Sequence, residues 1–199
     1  MINNRNIQRC CFIALCFLIF HPKADAQRFE GGIVAGINLS QLDGDRLAGF
    51  NHIGLNAGGR VAAILSDRWQ LSMELLFSQQ GSKRTLNDDP GAVFERINLN
   101  MVEVPVMINF LEWKFHVSAG LSYGRLINFK VEDVFGEDVS DSQTFNEDLF
   151  LAIVSATFYF DEHFGLNLGW SKALNNLQAE EGAGKLISRN VIVKGVYMF

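Results

Sequence analysis

Residues 52–78 of the chain, HIGLNAGGRVAAILSDRWQLSMELLFS, contain two alternating segments separated by three residues. In residues 52–65 one parity is apolar, whereas the other carries polar side chains such as Arg60, and residues 69–82 repeat this alternation. A period of two residues indicates a β-strand with two different faces. The stretch therefore predicts an antiparallel hairpin with a tight turn centred on Asp67.

The same alternation recurs along the chain and predicts eight strands. They are residues 29–40, 52–65, 69–82, 95–110, 114–127, 148–160, 164–174 and 186–199. These predicted strands are 11 to 16 residues long, whereas the commonest strand length is about 5–6. A tilted strand that crosses a bilayer needs about 9–11 residues, so each segment is long enough to cross.

The predicted connections alternate between short and long. Residues 66–68, 111–113 and 161–163 form the short ones, and residues 41–51, 83–94, 128–147 and 175–185 form the long ones. Antiparallel strands joined in this way put every short turn, and both termini, at one end. This arrangement is typical of a bacterial outer-membrane barrel. We therefore predict an all-β fold, an eight-stranded antiparallel up-and-down transmembrane β-barrel.

Aromatic residues cluster beside the predicted short turns. This aromatic girdle comprises Trp69, Trp113, Phe115, Phe160 and Phe164, and a sparser set lies toward the long loops. Membrane barrels carry aromatic girdles at both interfaces. The alternative interpretation is that aromatic residues simply favour strands, but that preference does not predict clustering at three turns.

The non-apolar parity predicts a polar interior filled with side chains, because about eight strands enclose little more space than that. The turn centred on Asp67 sets Arg60 opposite Glu74, which predicts an ion pair inside the barrel, and Glu103 and Lys194 are expected to extend this network. Its function is interpreted as packing, with a gated conduit or ligand site as the alternative. Removing one partner of a buried ion pair is strongly destabilising.

Two features depart from the simple alternation. Apolar residues change parity between residues 97–101 and 102–110, and Pro105 lacks the N–H of a central strand, so a β-bulge is predicted near residues 100–105. Arg125 and Arg189 fall on the outward parity near the loop-side ends of their strands, where a long cation can reach the interface.

The N-terminus predicts a signal peptide, residues 1–26, leaving residues 27–199 as the barrel domain. Arg5 and Arg9 precede an apolar run of 11 residues, and Ala24-Asp25-Ala26 resembles a cleavage site. Cleavage removes all 3 cysteines and takes the Lys+Arg and Asp+Glu counts from 17 and 22 to 14 and 21, so the formal charge changes from −5 to −7. This excludes a disulfide framework and gives no electrostatic reason to bind nucleic acid; no cofactor or metal site is predicted.

The C-terminal strand is predicted to pair with residues 29–40 and close the barrel. Tyr197 and Phe199 lie on its lipid-facing parity at the short-turn end. A terminal aromatic with alternating partners resembles the signal read by the barrel assembly machinery, so these two residues are predicted to be an assembly signal.

Several ordered motifs resemble the PorT-like outer-membrane β-barrel family. They are GINLSQL (residues 36–42), ELLFSQQGSK (74–83), MVEVPVMINF (101–110), FHVSAGLSYGRL (115–126) and the terminal Phe199. The resemblance spans essentially the whole mature chain and implies an eight-stranded barrel in the outer membrane of a Gram-negative bacterium. The family is named after a component linked to protein secretion, and it supplies no catalytic residues.

The sequence therefore predicts a non-enzymatic structural or binding protein of the outer membrane, in contact with the bilayer and lipopolysaccharide. Three alternatives stay open: a scaffold for a secretion or export machine with secretion-system or surface partners, a soluble lipocalin-like carrier, and a lipid hydrolase using His116 and Ser118. The hydrolase is disfavoured because both residues fall on the inward parity without an evident carboxylate to orient the histidine.

Overall fold

The computed structural model describes residues 28–47, 49–85, 88, 91–179 and 184–199. The predicted signal peptide lies outside these residues. Eight strands follow one another: β1 (Phe29–Asp43), β2 (His52–Ser66), β3 (Trp69–Lys83), β4 (Phe94–Glu112), β5 (Phe115–Asp133), β6 (Asp148–Tyr159), β7 (Phe164–Ala173) and β8 (Ile187–Met198). A short 3-10 helix, Ser140–Ser142, lies in the β5–β6 connection.

The strands form a closed barrel in which each pairs with its neighbours in sequence, and β8 pairs with β1. All eight pairings are antiparallel. The β1–β8 ladder runs from the Gly32–Met198 pair to the Asp43–Ile187 pair. The predicted number, order and direction of the strands are confirmed. Among the described residues, no α-helix is long and apolar enough to cross a membrane.

The β6–β7 turn shows how a short connection is stabilised. Oδ1 of Asp161 accepts hydrogen bonds from the backbone N–H groups of Phe164 at 2.7 Å and His163 at 2.8 Å. Because both bonds favour the carboxylate, they lower the pKa of Asp161 below its usual value. Four residues, 160–163, are thus enough to reverse the chain.

β4 and β5 extend further than predicted. β5 pairs with β6 only as far as Arg125, whereas its pairing with β4 continues to Asp133. The last residues of β5 therefore form with β4 a hairpin that extends beyond the β5–β6 ladder at the long-loop end. On its other side this part of β5 pairs with the following loop, through a Glu132–Asp138 bridge and a 2.9 Å bond from the backbone N–H of Val139 to the carbonyl oxygen of Val131. The sequence did not predict that these strands extend so far, because outward positions such as Lys130 are polar there.

A bulge is present at the predicted position, but it lies on β5 and not on β4. Odd-numbered residues of β4 face inward without interruption from Ile97 to Asn109. The register does shift between Asn100 and Met101, but the extra residue is Ile127 on β5, and the inward parity of β5 changes there. Pro105 leaves the β3–β4 ladder interrupted without shifting its register.

Candidate functional site: the barrel interior and the outward face

Glu74 lies between two cations inside the barrel. Arg60 is its register partner on β2, and Nη1 of Arg60 donates to Oε1 of Glu74 at 3.2 Å. Nζ of Lys194, from β8, donates to Oε2 at 2.5 Å. All three side chains are at most 3% exposed. Each oxygen of the carboxylate therefore has its own cationic partner, which offsets the cost of burying these charges.

Glu103 belongs to a neighbouring group and makes no direct hydrogen bond to the Glu74 cluster. Its Oε1 accepts from Nε2 of Gln80 and its Oε2 accepts from the Ser122 hydroxyl at 3.5 Å. Oε1 of Gln80 in turn accepts from the Ser188 hydroxyl at 2.6 Å. The four charged residues of the predicted network thus form two hydrogen-bonded groups, one ionic and one in which amide and hydroxyl groups satisfy the carboxylate.

Asn109, on β4, hydrogen-bonds to side chains of three other strands, and the sequence reasoning missed it. Its Oδ1 accepts from the Ser118 hydroxyl at 2.6 Å and from Nη2 of Arg60 at 3.4 Å. Its Nδ2 donates to the Ser72 hydroxyl at 2.9 Å. The signal was present, because Asn109 is a polar residue at an inward position of an otherwise apolar stretch.

Toward the long-loop end the interior contains a buried apolar cluster beside buried polar side chains such as Gln80 and Ser82, the register partners of Leu99 and Ile97. The cluster there comprises Leu42, Ile97, Leu99, Met101, Leu126, Val131, Phe145, Leu149, Leu151, Ala173, Leu177 and Leu186. Phe145 belongs to a loop, and its ring meets that of Phe129 with centroids 4.8 Å apart. Ile97, Leu99 and Met101 face inward because they belong to this cluster. A buried cluster of this size at one end argues against an open aqueous pore through the barrel.

The short-turn end holds a cavity of about 1020 Å³. The rings of His116 and Tyr159 line it with centroids 4.5 Å apart, and Nε2 of Gln70 donates to Oε2 of Glu30 at 3.2 Å at its edge. Ser118 bonds to Asn109 rather than to His116. Among the described residues, Nδ1 of His116 has no hydrogen-bond partner. Within the described part of the chain, His116 and Ser118 are therefore not hydrogen-bonded to each other or joined to an orienting acid.

The outward face is apolar around the barrel and carries large exposed side chains. They include Ile33, Ile37, Ile53, Leu55, Leu71, Met73, Leu75, Val106, Ile108, Val117, Leu121, Val154, Leu166 and Leu168. Toward the long loops a row of amides follows: Nε2 of Gln79 donates to Oδ1 of Asn100 at 2.9 Å, and Nδ2 of Asn100 donates to Oδ1 of Asn128 at 2.6 Å. The apolar belt therefore ends in a polar border.

The aromatic residues predicted at the short-turn end are exposed on this outward face. They are Trp69, Trp113, Phe115, Phe160 and Phe164. Neighbouring rings contact one another: Phe160 stacks on Phe164 at 5.9 Å between centroids, and Trp69 meets Phe110 edge-on at 5.0 Å. Tyr197 and Phe199 continue the row across the closing strand, also 5.9 Å apart. Phe199 is 76% exposed.

Exposed apolar surface around a closed barrel, with polar groups hydrogen-bonded inside, is the polarity of a membrane barrel. The sequence matches the family described as outer membrane protein beta-barrel domain over residues 22–179. The chain belongs to this family. It is thus a small eight-stranded barrel of the outer membrane, and a soluble lipocalin-like carrier does not fit this family or this polarity.

Solved structures of other outer-membrane barrels resemble the fold of this family member. Ail, the attachment invasion locus protein of Yersinia pestis, was solved in complex with the heparin analogue sucrose octasulfate; it is 12% identical, with a TM-score of 0.50 over 86% of this chain and 99% of Ail. Neisserial surface protein A is 13% identical, with a TM-score of 0.45 over 86% and 97%. At these identities the likeness concerns the fold alone. No curated protein matches the sequence significantly.

Proposed function

We propose that this barrel is a structural or binding protein that displays its four long loops outside the cell and its three short turns in the periplasm. The observation that supports this orientation is the strict separation of long and short connections to opposite ends of the barrel. Outer-membrane barrels have short periplasmic turns and longer extracellular loops. Loops on a rigid barrel are where binding specificity resides.

The route to the membrane is part of the same proposal. Residues 1–26 act as a cleaved signal peptide, and the barrel assembly machinery recognises the C-terminal strand through Tyr197 and Phe199. The aromatic girdle then lies at the periplasmic interface of the bilayer, and lipopolysaccharide surrounds the barrel on the outer side. The buried ion pairs fill and rigidify the interior, and the barrel conducts no solute.

Cysteine labelling on intact cells tests the orientation, because residues 27–199 contain no cysteine. Glu137→Cys lies in an exposed loop between β5 and β6. We expect a large membrane-impermeant maleimide to label this variant on whole cells, because the proposal places that loop outside the outer membrane.

Asp67→Cys is the matched control, since Asp67 is also exposed but lies in the short β2–β3 turn. We expect it to react only after the outer membrane is permeabilised. If Asp67→Cys reacts on intact cells while Glu137→Cys does not, the orientation is reversed. If both react equally without permeabilisation, the loops do not define an outer side.

The PorT-like motifs are the support for a narrower role as scaffold of a secretion machine. The cavity at the short-turn end would then be the surface offered to a periplasmic partner, because it is open and lined by both aromatic and charged side chains. Co-purification of large membrane partners with the native barrel would favour that role. The display of loops requires no such partner and therefore remains the first proposal.

A further inference from the structure

A shallow groove runs along the outward face of β5, β6 and β7. It has a volume of about 440 Å³ and is lined mainly by Val117, Ala119, Val154, Ala156, Leu168, Gly169 and Trp170. The groove forms because Ala119 and Ala156 are small, while their register partners Val154 and Leu168 rise beside them. Its lining is almost entirely apolar, which suits a hydrocarbon chain.

Two cations lie just beyond the loop-side end of the groove. Lys172 is the next outward residue after Trp170 on β7, a step of about 7 Å along a strand. It pairs in register with Arg189 of β8, so the two backbones are about 5 Å apart. The head of the groove is therefore basic and its body is apolar.

Among the residues that the structure describes, this basic pair carries more positive charge than its neighbours balance. Nη2 of Arg189 bonds to Oδ2 of Asp43 at 2.5 Å, whereas Lys172 has no ion pair or hydrogen bond among the residues that the structure describes. Asp43 thus balances one of the two cations. A cation at the border of a bilayer without an acidic partner attracts anionic lipid headgroups.

Arg125 provides a contrast within the same molecule. It lies on the outward face near the loop-side end of β5, but it bonds to Oδ1 of Asp148 at 2.8 Å and to Glu147. Two acids neutralise this cation, and the hydroxyl of Tyr123 donates to Oδ1 of Asp148 at 2.6 Å. Arg125 therefore lacks the excess positive charge that is found at the head of the groove.

We infer that the groove and the Lys172–Arg189 pair form a binding site for one lipopolysaccharide molecule. A lipid A acyl chain lies in the groove, and a lipid A phosphate is held by the two cations, with Arg189 donating from its fork and Lys172 as a point charge. The inference rests on the proposed orientation, because lipopolysaccharide occupies the leaflet beside the long loops. It names the lipid that this part of the outward face selects.

Native mass spectrometry of the folded barrel in mild detergent, titrated with bisphosphorylated lipid A, tests the site. We expect the wild-type protein to retain one lipid A. The Lys172→Gln/Arg189→Gln double variant should bind it about tenfold more weakly or worse, since it loses two charge-assisted contacts. Arg125→Gln is the matched control and should bind like wild type. Equal affinity of the double variant and the wild type would overturn the inference.

The groove is tested separately with Ala156→Phe, which fills it from the outward face. Ala35→Phe is the control, because Ala35 is also exposed on the outward face but lies on β1, away from the groove. We expect only Ala156→Phe to reduce lipid A retention. If the wild type is instead a dimer that Ala156→Phe dissociates, the groove is an interface between two copies and the lipid site is wrong.

Two further lipids identify the source of the phosphate. Lipid A without phosphates should bind the wild type as weakly as bisphosphorylated lipid A binds the double variant, and phosphatidylglycerol at equal concentration should not displace lipid A. Displacement by phosphatidylglycerol would make this a phospholipid site and contradict the inference. A barrel that localises and folds in the outer membrane but fails to bind lipid A overturns this inference alone, whereas reversed loop orientation overturns the proposed function as well.

Discussion

Glu74→Gln is expected to lower the free energy of unfolding of the barrel by about 3–5 kcal/mol. The carboxylate has one cation on each oxygen, Arg60 on one and Lys194 on the other. Glutamine keeps the volume but removes the charge, so two buried cations are left facing a neutral amide. Chemical unfolding of the barrel in lipid vesicles, followed by tryptophan fluorescence, measures the change.

Glu112→Gln is the matched control for this measurement. Glu112 also pairs with an arginine, Arg68, at 3.2 Å, but their side chains are 62% and 65% exposed. An exposed pair contributes about 0–1 kcal/mol, so this variant should unfold almost like wild type. If Glu74→Gln and Glu112→Gln shift the unfolding midpoint equally, the buried cluster does not stabilise the interior as argued.

Phe199→Ala is expected to reduce severalfold the amount of folded barrel in the outer membrane. The residue is largely exposed, and the backbone N–H of Phe199 bonds to the carbonyl oxygen of Gly31 at 2.9 Å, a contact that alanine keeps. The folded barrel should therefore lose little stability, while assembly in the cell loses its terminal signal. Immunoblotting of isolated outer membranes, loaded without heating, measures the folded fraction.

Phe29→Ala separates the assembly signal from the general effect of an exposed aromatic residue. Phe29 is 65% exposed, on the other terminal strand at the same end of the barrel. We expect it to assemble near the wild-type level. Equal losses for Phe29→Ala and Phe199→Ala, or normal assembly of both, would contradict a special role for the C-terminal residue.

The period of two residues was enough to predict the strands and their faces, because each strand meets lipid on one side and the interior on the other. A three-residue turn centred on Asp67 matched Arg60 with Glu74 from the sequence. In the structure the turn is shorter, because Ser66 pairs with Trp69, and a register shift between Ile64 and Ser66 preserves the Arg60–Glu74 pairing. The closing pair of β1 and β8 followed from the even strand count, since a membrane barrel leaves no edge unpaired.

The interior at the long-loop end could not be predicted in this way. Ile97, Leu99 and Met101 look outward by hydropathy, because an inward residue of a membrane barrel is expected to be polar. They face inward as members of a buried cluster that also contains Phe145, a loop residue distant in sequence. The parity change in β5 at Ile127 has the same origin, since it turns Phe129 toward this cluster.

Asn109 and Gln80 were missed for a different reason. Each links side chains from strands that are remote in sequence: Asn109 bonds to Ser118 and Gln80 bonds to Ser188. Alternation predicts which face of the sheet a side chain occupies. It does not predict the level of that side chain along the barrel axis relative to residues several strands away, because this level depends on the register of every strand pair between them. Charged residues stood out in the sequence, whereas the amides that complete their hydrogen bonds did not.

The central claim is that this chain is folded as a barrel in the outer membrane. It is tested most directly by separating inner and outer membranes on a density gradient and running the outer-membrane fraction on gels with and without boiling. We predict that the protein is found in the outer-membrane fraction and migrates faster when unheated, because the closed barrel resists detergent. Recovery in the soluble periplasmic fraction, or identical migration of heated and unheated samples, would contradict this account.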